Sequence, residues 1–184
     1  MRWAFVVLFV ACNKHGAATH ATNVTLDGMR VEITLPEDMR LDAKSSDESL
    51  GMASFDRERD HPLVGAPAQS ITAFLTATRN VEVQGSLAEA VTQARADFCD
   101  KSARCDELAR EALPSGGWLV TLRNDKAVQT VTTKPGSPER AFVCGAEAFV
   151  LFAEPGQKTW LDDPAEIKKA RDVVEAICRS ARTP

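Results

Sequence analysis

The chain has 184 residues, 44% of them apolar, which suits one domain with a real core and shows no internal repeat or low-complexity tract. Its 22 basic and 26 acidic residues give a net charge of −4, and tyrosine is absent. That balance argues against nucleic acid and against docking on an anionic lipid surface, and the dispersed aromatics form no base-stacking platform.

Residues 1–12 follow the order of a secretory signal. Arg2 supplies a positive charge, residues 3–10 (Trp-Ala-Phe-Val-Val-Leu-Phe-Val) are an unbroken apolar run, and Ala11 puts a small residue before Cys12. With Ala11 counted, the nine apolar residues in a helix reach roughly 14 Å, about half of a ~30 Å hydrocarbon core, so the run does not span a membrane. The ending Val10-Ala11-Cys12 resembles the lipobox of bacterial lipoproteins, with Phe9 where leucine is usual. The resemblance implies that Cys12 takes a lipid (palmitate class) and that residues 1–11 are removed as a signal peptide. A buried first strand of a cytosolic domain is the rival reading. Against it stand residues 13–23, small, polar and without periodicity, so that 12–23 read as a flexible tether. Residues 24–184 then form a single α+β domain held near a membrane through the lipid on Cys12. Asn13 is not the aspartate associated with inner-membrane retention, which favours the outer membrane, with the domain in the periplasm or at the cell surface. Loss of Arg2 with the signal leaves 21 basic against 26 acidic residues, net −5.

Along the domain, Met29, Val31, Ile33 and Leu35 alternate with polar residues, a half-buried strand within 24–35 that Pro36 ends. Short strands are expected at 39–43 and 50–55. The five alternating charges of residues 56–60 read as a solvated strand end or loop rather than a catalytic or metal cluster. Residues 69–78 carry apolar side chains on both faces and belong centrally in the sheet. Ser86-Leu87-Ala88-Glu89 is a capping box, and Leu87, Val91, Ala94 and Phe98 form the stripe of a helix that covers a sheet. Ser102 is expected to cap a second short helix over 103–112. Residues 118–123 and 127–133 flank Asn124-Asp125-Lys126 as a hairpin, with a loop at 134–138. Residues 140–152 read as one long strand or two, with Gly145 a bulge or bend. Asp163 caps the last helix, with Pro164 at its first position and Glu166 completing the box. Its stripe is Ile167, Ala170, Val174, Ile177, Cys178 and Ala181, with Lys168, Asp172, Glu175 and Arg179 outside.

Beyond Cys12, four cysteines remain, and in an exported chain they suggest disulfides with three possible pairings. Cys99 and Cys105 flank a helix corner, and a bond there is worth at most about 2 kcal/mol. A helix unbroken through both would forbid it. Cys178 faces the sheet that holds Cys144, and closing that 35-residue segment is worth ~4 kcal/mol. Cys99–Cys105 and Cys144–Cys178 are therefore the expected pairs.

The order of an antiparallel strand group, a capped helix, a strand meander and a final helix resembles the PsbP-like α/β/α sandwich. Ile33-Thr34-Leu35-Pro36-Glu37 resembles that family's opening strand and Leu-Pro-Glu exit, although Asp38-Met39 departs from the Gly-Trp that often follows. Members of that family bind partners and share no single reaction, so the resemblance implies a binding role and carries no site residues over.

No catalytic, metal or cofactor site emerges from the residues. There is no G-x-S-x-G, phosphate loop, dinucleotide fingerprint or CxxC. His15 and His20 lie in the tether, where a metal grip has no fixed geometry, and His61 precedes a proline in a loop. Capping accounts for Asp163 without a cation at Asp162-Asp163. The expectation is a non-catalytic binding or assembly accessory of the cell envelope with a protein partner. The alternatives are a small-ligand carrier with a helix–sheet pocket, or a hydrolase using His61 or residues 56–60.

Overall fold

A computed structural model describes residues 18–47, 51–57, 69–79, 86–137, 139–150, 153 and 156–184. The elements are β1 (Thr19–Leu26), β2 (Met29–Pro36), β3 (Met39–Leu41), β4 (Met52–Arg57), β5 (Gln69–Arg79), α1 (Leu87–Cys99), β6 (Asp106–Ala112), β7 (Trp118–Arg123), β8 (Ala127–Ser137), β9 (Arg140–Val150) and α2 (Pro164–Ser180). A seven-stranded antiparallel sheet runs in the order β3-β4-β5-β9-β8-β7-β6, and β1 and β2 form a separate two-stranded ribbon.

Strand periodicity divides the sheet into two faces. Leu75, Phe142, Cys144 and Ala146 point one way into the main core with Val31, Ile33 and Leu35 of β2 and Val174, Ile177 and Cys178 of α2. That side is roofed by α2, which packs on β8, β9 and β2, and by β1, which packs on β4 and β5. Val120 and Leu122 point the other way and meet Val91 and Ala94 of α1 in a smaller cluster. The capping box that starts α1 is complete: Ser86 Oγ accepts from the Glu89 N–H and Glu89 takes the Ser86 N–H. The Ser86 N–H and the Ser86 hydroxyl, both donating to the Glu89 carboxylate, hold that carboxyl below its ordinary range.

Several expectations need correction. Residues 19–23 are not tether but half of β1, because each residue pairs with β2 and the weakly apolar inward side needs only Val24 and Leu26 to anchor it. Residues 24–35 are not one strand: Asp27 and Gly28 have φ of 47° and 77°, the left-handed pair of a two-residue hairpin turn. Residues 103–112 hold no helix, since β6 occupies Asp106–Ala112 and pairs along β7. Sheet pairing with an already formed strand outweighs the helix propensity of Leu108, Ala109 and Arg110. The strand after the second hairpin continues to Ser137 rather than stopping before a loop. Glu166 reaches Lys169 instead of closing a box, and Glu175 is buried, 8% exposed, rather than outside.

Gly145 is neither bulge nor bend. Its pairing with Phe74 and Val131 is regular, and a Cβ there would lie 2.1 Å from Phe74 Cζ, so the ring lies on bare backbone. The signal peptide, Cys12, residues 12–17, His15, His61 and residues 58–60 fall outside the described residues.

Candidate functional site

Two places merit attention as sites, and the first is the sheet face that carries α1. Packing of α1 on β6 and β7 leaves β4, β5 and β9 without a helix on that side among the described residues. Register places three rows across it. Ser54, Phe74, Gly145 and Val131 form the middle row, and Asp56, Thr72, Glu147 and Gln129 form the next. Met52, Thr76, Val143 and Thr133 form the third. Phe74 is 38% exposed although it stands on one of the central strands. Beside it, Glu147 accepts from Gln129 Nε2 at 3.1 Å, and burial pushes its carboxyl above the ordinary range. An aromatic ring on glycine, threonines around it and a carboxyl with one amide partner make a surface that exchanges hydrogen bonds and stacks. Asp56 and Glu147 are separated by the whole of β5, about 10 Å at ordinary strand spacing, too far to share a proton.

The opposite face carries its polar groups inside. Thr121 Oγ1 lies 2.8 Å from Thr130 Oγ1 and donates to Glu175 at 2.9 Å, and Arg171 Nε reaches the same carboxylate oxygen at 2.8 Å. Lys134, 8% exposed, donates to the Arg179 and Ala181 carbonyls, both at 2.7 Å, and so closes the carboxyl end of α2. Burial, with Arg179 nearby, brings its ammonium down to about 8. Nothing in the sequence marked these residues, because Lys134 stands in a Lys-Pro-Gly stretch and Glu175 at a position four before Arg179, both ordinary surface signatures.

The cysteines fall into two pairs. Cys99 joins Cys105 across the corner after α1, Cα atoms 5.6 Å apart, where Lys101 takes a φ of 62°. Cys144 of β9 joins Cys178 of α2, Cα atoms 5.5 Å apart, inside the main core. Asp162 accepts the Thr159 N–H and Asp163 the Ala165 N–H, so both carboxylates serve as caps. His20, the one histidine among the described residues, lies in β1, and Asp56 stands near the end of β4 opposite Thr72 of β5. Among the described residues no three of His, Cys, Asp and Glu gather as metal ligands, and no helix is long and apolar enough to cross a membrane.

The second place is a pocket of about 290 Å³ between β1 and the β3–β4 end of the sheet. It is not the helix–sheet cavity a carrier would need, since Val174, Ile177 and Cys178 fill that interface.

These layers define a class: an α+β domain with an antiparallel sheet between a helix and a helix-plus-hairpin roof. No family model and no curated protein matches the sequence. Among solved structures the chain is similar to the Ran-binding protein Mog1p of Saccharomyces cerevisiae, with a TM-score of 0.60, 11% identity and coverage of 90% of this chain and 96% of that one. A point mutant of Mog1 gives 0.59 at 12% identity, covering 89% and 96%. LpqN of Mycobacterium tuberculosis, described as involved in cell envelope biogenesis, gives 0.47 at 16% identity, covering 90% and 92%. The Mog1 likenesses show the fold alone, which is Mog1-like.

Proposed function

We propose that this protein is an exported lipoprotein, anchored through Cys12 to a bacterial envelope membrane, the outer one favoured, and that its domain is a non-catalytic binding or assembly accessory. The observation that carries the reading is Phe74, an aromatic ring left exposed on a central strand beside Glu147, on a face that α1 covers only over β6 and β7. Large aromatics in such positions are the usual anchors of protein interfaces. Mog1p, of the same fold, is by its description a Ran-binding protein, which supports partner binding as a use of this architecture and says nothing of the partner here. Cys12 followed by a short polar stretch supports the anchor, and the two disulfides support an oxidising compartment.

The test places a photo-crosslinking residue at position 74 in intact cells, in wild-type and Cys12→Ser backgrounds, with a fatty-acid probe read in parallel. The expected result is label on the wild type only, and one envelope protein captured from position 74. Capture of lipids and abundant bystanders alone overturns the binding role, and equal labelling of Cys12→Ser overturns the anchor.

A further inference from the structure

Among the described residues four strand edges end a sheet or ribbon, and three of them are covered or defended. The outer edge of β2 is paired with the chain end: Glu32 and Arg182 exchange backbone hydrogen bonds of 2.8 and 2.9 Å, and Ser180 Oγ takes the Thr34 N–H at 2.8 Å. The edge of β6 carries Asp106, Glu107, Arg110 and Glu111 and a register shift between Glu107 and Ala109. The edge strand β3 is three residues long. Charge, irregular pairing and brevity are the ordinary defences of a free edge. The remaining edge, that of β1, has none of them. It runs eight residues in unbroken register, without proline, and its one ionisable side chain is His20, whose Nδ1 is buried.

The free backbone groups of β1 can be assigned. A two-residue turn makes Leu26 and Met29 a hydrogen-bonded pair, and such pairs alternate along the ribbon. Thr19, Ala21, Asn23 and Thr25 therefore turn their N–H and C=O groups away from β2. The bonds of Glu32 and Thr34 to the chain end fix the same phase, because those residues stand opposite Asn23 and Ala21. All four are exposed, and among the described residues none of these outward groups has a partner.

Below this edge the roof stops one strand short. Leu41 stands opposite Phe55, on the face that holds the core, yet Leu41 is 50% exposed while Phe55 is 1%. Asn23, Val24 and Thr25 of β1 form the wall of the 290 Å³ pocket, with Leu41, Ser46 and Ala53 among the residues of its floor. No charged side chain lines it, so a charge entering it would lose water and gain no counter-ion.

We propose that the free edge of β1 takes up an extended, uncharged segment of a partner polypeptide as a third strand of the ribbon, with an aliphatic side chain opposite Val24 covering Leu41. Main-chain bonds to residues 19–25 supply the affinity and the pocket supplies the preference. A second copy of this chain does not fit, because antiparallel edge-to-edge pairing puts both floors on the same side, each in the space beneath the other's β1. This site is separate from the Phe74 face and stands or falls without it.

The probe is a blocked, fluorescein-labelled nonapeptide of alternating threonine and valine, with a control bearing lysine for valine, titrated against the full chain by fluorescence anisotropy. Binding is expected for the valine peptide only, with amide exchange at Ala21, Asn23 and Thr25 slowed at least tenfold. Asn23→Pro, which removes one outward donor, is expected to weaken binding at least tenfold, and Leu41→Ser several-fold, while Phe74→Ala leaves it unchanged. Ala21→Lys stands in should the proline variant not fold. Absence of binding, unchanged exchange at those amides, equal affinity for the lysine control, or a doubled mass without peptide overturns the proposal.

Discussion

The two faces of the seven-stranded sheet are finished differently. Under α2 and the ribbon, Leu75, Phe142 and Cys144 are wholly buried, a disulfide ties strand to helix, and Thr121, Glu175 and Lys134 find partners inside the layer. On the other face, among the described residues, α1 covers β6 and β7 alone, and Phe74 meets solvent. The contrast shows how a domain of this size concentrates its buried contacts on one face of its sheet.

The sharpest break of that comparison is a pair of matched truncations. Phe142→Ala is expected to cost 3–5 kcal/mol, roughly the range for a buried aromatic, while Phe74→Ala costs about 1 kcal/mol because its ring is already part exposed. Denaturant titration reads both, and equal costs would dissolve the distinction between the faces. Next, replacing Cys144 and Cys178 by alanine should remove about 4 kcal/mol, against about 2 kcal/mol for Cys99 and Cys105, since the closed segments are so unequal. The denaturant midpoints of the two double variants order them.

The third effect depends on pH. The Lys134 ammonium titrates near 8 in the folded protein and near the ordinary 10.5 when unfolded, so between those values the unfolded chain holds the extra proton. Stability from this group therefore rises as pH climbs from about 8 to about 10.5, by up to about 3 kcal/mol, and is flat outside that window. Lys134→Met should flatten the rise in a series of melts. The absence of tyrosine keeps the window free of phenol titration, so the difference between the two proteins isolates one side chain.

Much of the fold was legible where a pattern and its punctuation agree. Ser86 with Glu89, and Asp163 with Pro164, announce both helix starts, and Asn124-Asp125-Lys126 announces the hairpin. What was illegible depended on partners far along the chain. Residues 106–112 have a helical composition and become a strand only because β7 offers a ladder, and residues 19–23 look like spacer until β2 pairs with them. The turn at Asp27-Gly28 carried a strong local signal that the alternation of Val31, Ile33 and Leu35 overshadowed. Of the candidate surfaces, Phe74 and Gly145 are visible in sequence as single residues, but their stacking needs the register of β5 against β9. The bare edge of β1 is invisible without knowing which strands have neighbours on both sides.

The bridge between Glu32 and Arg182 joins positions 150 apart, and Thr34 waits on Ser180 in the same way. The hairpin of β1 and β2 pairs locally, but the outer edge of β2 is covered only when the segment after α2 comes back across it, so that edge depends on contacts of very long sequence separation.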